Sequence, residues 1–253
     1  EPRSAMQICV HLLEGTDQAA AIFAAQTVAH LCRFVEPETT WAAALLGLLR
    51  AAVDARLARS IQTPLSLAVC ALIARKRGAW AANELVGAIC EQLNASTSAA
   101  SLIAALRLLS LLPEEMSSDQ LALPEIHLEE FSDELQNGAA PHLVELCTQA
   151  LSMGGQDPGL AAASLHCLSV WTSSELLPWP VLTPAMTIAM NATAAPLTAA
   201  CAPLTEASVA QLSAGCSLLT AAASIHPDLE MADALIPAAL TLREGFTAVA
   251  ATA

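Results

Sequence analysis

The feature that most constrains this chain is an apolar stripe at helical spacing that recurs from one end to the other. Leu45, Leu48, Leu49, Ala52 and Val53 form one stripe, and Leu65, Ala68, Val69, Leu72 and Ile73 the next. Val86, Ile89, Cys90 and Leu93 follow, then Leu102, Ala105, Leu106 and Leu109. Leu143, Leu146, Cys147, Ala150 and Leu151 repeat the pattern, as do Val209, Leu212, Cys216 and Leu219. A helix that is apolar along one side must bury that side on a neighbour. Cap and turn residues separate the stripes. Gly15-Thr16-Asp17, Glu36-Pro37-Glu38-Thr39, Thr63-Pro64, Gly78, Asn94 to Ser98, Met153-Gly154-Gly155, Asp157-Pro158 and His226-Pro227-Asp228 mark the breaks. Second helices of successive pairs are predicted to begin near Asp17, Thr63, Ser98, Asp157 and Thr205. The intervals fall near the roughly 40–47 residues of HEAT and armadillo units. No region alternates with period two, so no sheet is expected. The expected fold is all-α: a right-handed α-α superhelix, a HEAT- or armadillo-like solenoid of about five antiparallel helix pairs over residues 1–253.

Composition agrees. Hydrophobic residues make up 55% of the 253, and the chain has no Tyr and four Phe. Ala and Leu supply most of the apolar content, and both are strong helix formers. The net charge is −14 with ten basic residues, so no basic stripe exists for phosphates and direct nucleic-acid binding is not expected. The eight cysteines are scattered without a C-x-x-C pair, and most lie in apolar stripes. They read as small buried hydrophobes rather than disulfides or zinc ligands. Residues 176–205 carry no charge, but Pro178, Pro180, Pro184, Pro196 and Pro203 interrupt them. Core helices broken by proline turns are expected there, not a membrane span. Asn94-Ala95-Ser96 and Asn191-Ala192-Thr193 fit the glycosylation sequon, with no secretory signal beside them. The first residue is Glu1 rather than Met, which suggests a piece of a longer chain.

No catalytic constellation stands out. There is no phosphate-binding G-x-x-x-x-G-K-[ST], the one Lys is Lys76, and neither G-x-S-x-G nor H-E-x-x-H occurs. His142 and Glu145 read as a surface pair. No catalytic residue, cofactor site or metal site is therefore assigned, and the chain is not expected to be an enzyme. Eight of the 24 acids lie in residues 114–134. That segment reads as a solvated loop entering a helix whose first turn holds Glu129, Glu130 and Asp133, with a docking surface for a basic partner as the alternative. Gln26, His30 and Arg33 lie at i, i+4 and i+7, on one face of a helix whose other face is small and apolar. The row is either an ordinary solvent face or a contact row on the inner wall of a solenoid. Arg75, Arg77 and Arg107 could extend it; Arg107 sits in the apolar run "LIAALRLLSLL" and must find a partner or reach solvent. Trp41, Trp80 and Trp171 are expected to fill gaps between helices.

Several segments resemble the importin-β (karyopherin-β) family, and within it the transportin-SR branch. "FAAQT" at Phe23–Thr27 resembles the second helix of that family's first HEAT repeat, and "SAMQICVHLLEG" before it the partner helix. "LLSLLPEE" at Leu108–Glu115 is similar to the ending of the third repeat, and "SLHCLSVW" at Ser164–Trp171 to a segment of the fourth. The resemblance covers nearly the whole chain and about the first quarter of a full-length member. It implies a nuclear transport receptor that shuttles between cytoplasm and nucleus. It implies Ran–GTP, protein cargo such as Arg/Ser-rich splicing factors, and FG-repeat nucleoporins as partners, with no nucleic acid and no membrane. Gln26 and Thr27 match the family motif directly, while His30 and Arg33 lie on the same helix. With Arg75, Arg77 and Arg107 they form the candidate Ran-binding set. Replacing Gln26, His30 and Arg33 with Ala is expected to weaken Ran–GTP binding without loss of helicity. An exporter of the same superfamily and a Ran-independent HEAT scaffold are the alternative readings.

Overall fold

Helix caps decide where this chain turns. Asp17 accepts from the amides of Ala19 and Ala20 at 2.9 and 3.3 Å, and Asp157 from those of Gly159 and Leu160 at 2.9 and 3.2 Å. Ser98 accepts from the Ser101 amide at 3.2 Å, and Thr205 from the Ser208 amide at 3.1 Å. Each supplies an oxygen to a backbone donor that the helix itself cannot satisfy. The structure, a computed structural model, describes residues 2–35, 41–54, 57–75, 87, 98–119, 121, 123–153, 157–198, 204–225, 235–237, 239–244 and 247.

The described helices are α1 (Pro2–Leu13), α2 (Gln18–Phe34), α3 (Trp41–Asp54), α4 (Arg59–Arg75), α5 (Ala99–Met116), α6 (Glu125–Glu134), α7 (Ala140–Met153), α8 (Pro158–Ser173), α9 (Trp179–Thr198) and α10 (Glu206–Ile225). A π-helical turn spans Leu135–Ala139, and residues 235–237 and 239–244 are also helical. No strand occurs among the described residues.

The chain divides into two compact units, Glu1–Ala139 and Ala140–Ala253. In the first, α1 packs on α2 and α3 on α4, while α2, α4 and α5 pack in series. In the second, α7 packs on α8 and α9 on α10, while α8 lies broadly on α10 and α7 on α9. Helices thus meet their partners within pairs, and second helices meet their equivalents in adjoining pairs. This is the stacking of an all-α helical solenoid.

The stripes read from sequence for α4, α5 and α7 supply much of the cores, whereas α10 differs from its stripe: it buries Gln211, Leu212, Gly215, Leu218 and Ala222 and leaves Val209 51% exposed. Ile61, Leu65, Val69 and Leu72 of α4 and Leu102, Leu106, Leu109 and Leu112 of α5 lie in the first unit's interior, all buried. Leu143 of α7, Leu165, Leu168 and Trp171 of α8, Leu182 of α9 and Leu218 of α10 fill the second. Each buried Leu contributes about 1.5–3 kcal/mol relative to exposure. Trp41 and Trp171 are buried as gap-fillers, and Cys9, Cys32, Cys70, Cys147 and Cys167 are buried free thiols. Trp80, Cys90, Cys201, Gly78, the stripe of Val86, Ile89 and Leu93, and the breaks at 36–39 and 226–228 lie outside the described residues.

Three expectations are corrected. Helix α4 begins at Arg59, not at Thr63, and Pro64 lies inside it. The helix has already started there, since the amides of Ile61 and Gln62 bond the Ala58 carbonyl at 2.9 and 3.3 Å. The carbonyl that Pro64 leaves without a donor belongs to exposed Ser60, where water can serve it. Second, the uncharged stretch is not broken by proline turns: α9 runs unbroken through Pro184 and Pro196. Pro180 and Pro184 occupy its first two turns and are exposed, so the lost bonds fall near an end and face solvent. Third, α5 continues past Pro113 to Met116, so Glu114 and Glu115 are helical rather than part of an acidic loop. Helix α6 opens on Glu125, which places Glu129, Glu130 and Asp133 beyond its first turn.

By length and composition α10 could cross a membrane; within this fold it is a packed helix, with 39% of its apolar window buried.

Candidate protein-binding surface

The site begins with the two faces of α2. Ala21, Ala24, Ala25, Val28, Ala29 and Cys32 are buried, and these small side chains let neighbouring helices come close. The opposite side exposes Phe23 (64%), Gln26, His30 and Phe34 (57%). The rings of His30 and Phe34 lie with centroids 4.6 Å apart at 44°. Thr27 is partly exposed and donates its hydroxyl proton to the Phe23 carbonyl at 2.8 Å. Gln26, Thr27 and His30 therefore share one accessible stripe with two exposed phenylalanines. The two Phe were not assigned from sequence, although their spacing from His30 (i, i+7, i+11) places them on its face.

Arg33 has a different role. Its Nε and one terminal amino group donate to the two carboxylate oxygens of Glu115 at 2.5 and 2.6 Å. Glu115 is 3% exposed and Arg33 18%. This bidentate, charge-assisted pair joins α2 to α5 near the end of α4 that lies between them. The hydrogen bond and charge of Glu115 raise the guanidinium pKa further above its ordinary value. Nothing in the sequence paired residues this far apart, and Glu115 read as one more acid of a solvated segment.

Arg75 is likewise used within the unit. Its guanidinium donates to the carbonyls of Cys32, Arg33 and Val35 at 3.1, 2.8 and 2.8 Å. These close the C-terminal end of α2, where orphan carbonyls and the negative end of the dipole favour a cation. Arg75 is the last residue of α4, and from there it also caps the neighbouring helix. Arg107 reaches solvent on α5. Partial burial of its stem, and then the charge of Arg59, lower its pKa. Arg77 lies outside the described residues.

The structure thus brings Gln26, Thr27 and His30 together at the surface, turns Arg33 and Arg75 inward, and holds Arg107 on another helix. His142 and Glu145 are both exposed. No group of three or more His, Cys, Asp or Glu among the described residues is placed to hold a metal ion.

No curated protein matches the chain. The family model of the exportin 1-like protein matches residues 59–202, from the first residue of α4 to just beyond α9. More than half of the 253 residues fall in that match. The chain belongs to the exportin 1-like family, and through it to the importin-β/exportin superfamily of HEAT-repeat proteins.

Proposed function

We propose that this chain forms repeats of a nuclear transport receptor, with the exposed row Gln26, Thr27 and His30 meeting Ran–GTP and protein cargo bound elsewhere on the repeats. The observation that carries the reading is the family match over 59–202, laid on second helices that stack in series. The exposure of the α2 row agrees with it, although that row lies before the matched segment. The chain's charge of −14 suits a cargo rich in arginine, such as an Arg/Ser-rich segment. Passage through FG-repeat nucleoporins and shuttling between cytoplasm and nucleus complete the reading.

The mechanism is a coupling of two binding events. If Ran–GTP and cargo favour different arrangements of the repeats, each changes the other's affinity by the same factor, typically about 5–150-fold. In an importer Ran–GTP weakens cargo binding. In an exporter it strengthens it, and the family match fits either direction. The test is a pull-down with Ran loaded with GTP or GDP, repeated with an Arg/Ser-rich peptide as cargo probe. Retention of Ran–GTP alone supports a receptor. Loss of peptide on adding Ran–GTP marks an importer and a gain marks an exporter. Equal retention of both nucleotide forms, or of neither, rejects the proposal in favour of a Ran-independent scaffold.

A further inference from the structure

The second unit holds a cleft of about 610 Å³ between α8 and α10, within the ordinary size range of ligand sites. Its floor is Ser169, only 7% exposed, whose hydroxyl has no hydrogen-bond partner among the described residues. Since Ser169 lines the cleft, a group entering there can bond its hydroxyl in place of water. Along the walls, four hydroxyls already donate their hydrogens to backbone carbonyls. Ser173 donates to the Val170 carbonyl at 2.9 Å, Ser217 to Ser213 at 3.0 Å, Thr220 to Cys216 at 2.9 Å and Ser224 to Thr220 at 2.9 Å. What they offer outward is lone pairs. The described lining residues carry no charge, in a chain whose net charge is −14, so an ion entering here meets no counter-charge among them.

The wall on α10 extends from Ser213 to Ser224. At 1.5 Å per residue that is roughly 16 Å, which an extended chain covers with about five residues. From these features we infer that the cleft between α8 and α10 binds an uncharged, extended peptide segment of about five residues. Its backbone or side-chain amides donate to the wall hydroxyls, and one of its polar side chains reaches Ser169. The inference does not depend on Ran or on the direction of transport.

Cys216 lines the cleft and is the one described cysteine that is not buried, so its alkylation reports on occupancy. The probe is the capped peptide acetyl-Gly-Asn-Ser-Asn-Gly-amide, added to the full chain while iodoacetamide labelling of Cys216 is followed by mass spectrometry. A saturating, at least fivefold slowing is expected. Weaker protection is expected from the same peptide with Glu or Lys in place of Asn, and none from N-methylacetamide. Ser169→Ala should abolish protection with an unchanged circular dichroism spectrum, and Thr220→Val, on the exposed rim, should weaken it about threefold. Labelling that is unaffected by the peptide overturns the inference, as does full protection in both variants or equal protection by N-methylacetamide.

Discussion

The two units use one stacking pattern and hold it with different chemistry. In Glu1–Ala139 the second helices are tied by charge: Arg33 of α2 grips Glu115 of α5, and Arg75 of α4 clasps the last carbonyls of α2. In Ala140–Ala253 the described ties between α9 and α10 include close shape and a neutral hydrogen bond. Gln211 of α10 donates to the Ala192 carbonyl of α9 at 2.6 Å. Gly215 of α10 lies against buried Thr193 of α9, so closely that any Cβ would collide with the threonine side chain. The comparison teaches that a repeat needs its helices held at a given approach, and that the means are interchangeable. A buried ion pair is weak evidence for added stability, since an apolar pair of similar size can serve as well. Breaking one half of it is another matter.

The largest effect should follow from that break. Glu115→Ala leaves Arg33 partly buried and unpaired, and is expected to cost about 3–5 kcal/mol in urea unfolding. Loss of amide protection should concentrate in α2, α4 and α5. Arg33→Met with Glu115→Leu should recover most of the loss; a double variant as unstable as the single would show that the charge itself is needed.

The matching break in the second unit is steric. Gly215→Ala should destabilise by about 1–3 kcal/mol through overpacking, despite alanine's better helix propensity. Thr193→Ala removes the nearest atoms and should restore part of the loss, read as a coupling in a double-mutant cycle. Additive effects would remove the close approach from the account.

A smaller effect separates charge from burial within the first unit. Burial pushes the Cys32 thiol up to about 12 from an ordinary 9.0, against a smaller lowering effect of Arg75, and raises Cys70 in the same direction. Below pH 9 both folded and unfolded chains keep these protons. Above it the unfolded thiols ionise while the buried ones do not, so the unfolded state gains. Stability should fall from pH 9 towards about 12, by up to about 1.4 kcal/mol per pH unit for each such thiol. Cys32→Ala should flatten the slope measured by unfolding at stepped pH.

The smallest effect should be equal in the two units. Asp17→Ala and Asp157→Ala each remove an N-cap, at about 1 kcal/mol in thermal melts. Unequal losses would show that cap strength, too, differs between them.

What was legible in the sequence follows the range of the forces involved. The caps at Asp17, Ser98, Asp157 and Thr205 act on amides two or three residues away, so their spacing predicted them. The stripes of α4, α5 and α7 predicted burial because a helix face repeats every few residues. Pro64 and Pro184 misled, because near a helix start proline costs few bonds and here solvent can serve the carbonyls it frees. The partnership of Arg33 with Glu115 was not legible at all. It depends on three helices meeting, and no local pattern carries that information. Gln26 and His30 were placed correctly on an accessible face, and the same wheel held Phe23 and Phe34, which went unassigned.

The central functional claim is that the accessible stripe of α2 meets Ran–GTP. The expected triple replacement included Arg33, which Glu115 engages, so Thr27 takes its place. Calorimetric titration of Ran–GTP into the natural chain and into Gln26→Ala/Thr27→Ala/His30→Ala tests the claim most directly. The account predicts binding weakened about tenfold or more with the circular dichroism spectrum unchanged. Equal affinity of the two chains for Ran–GTP would contradict it.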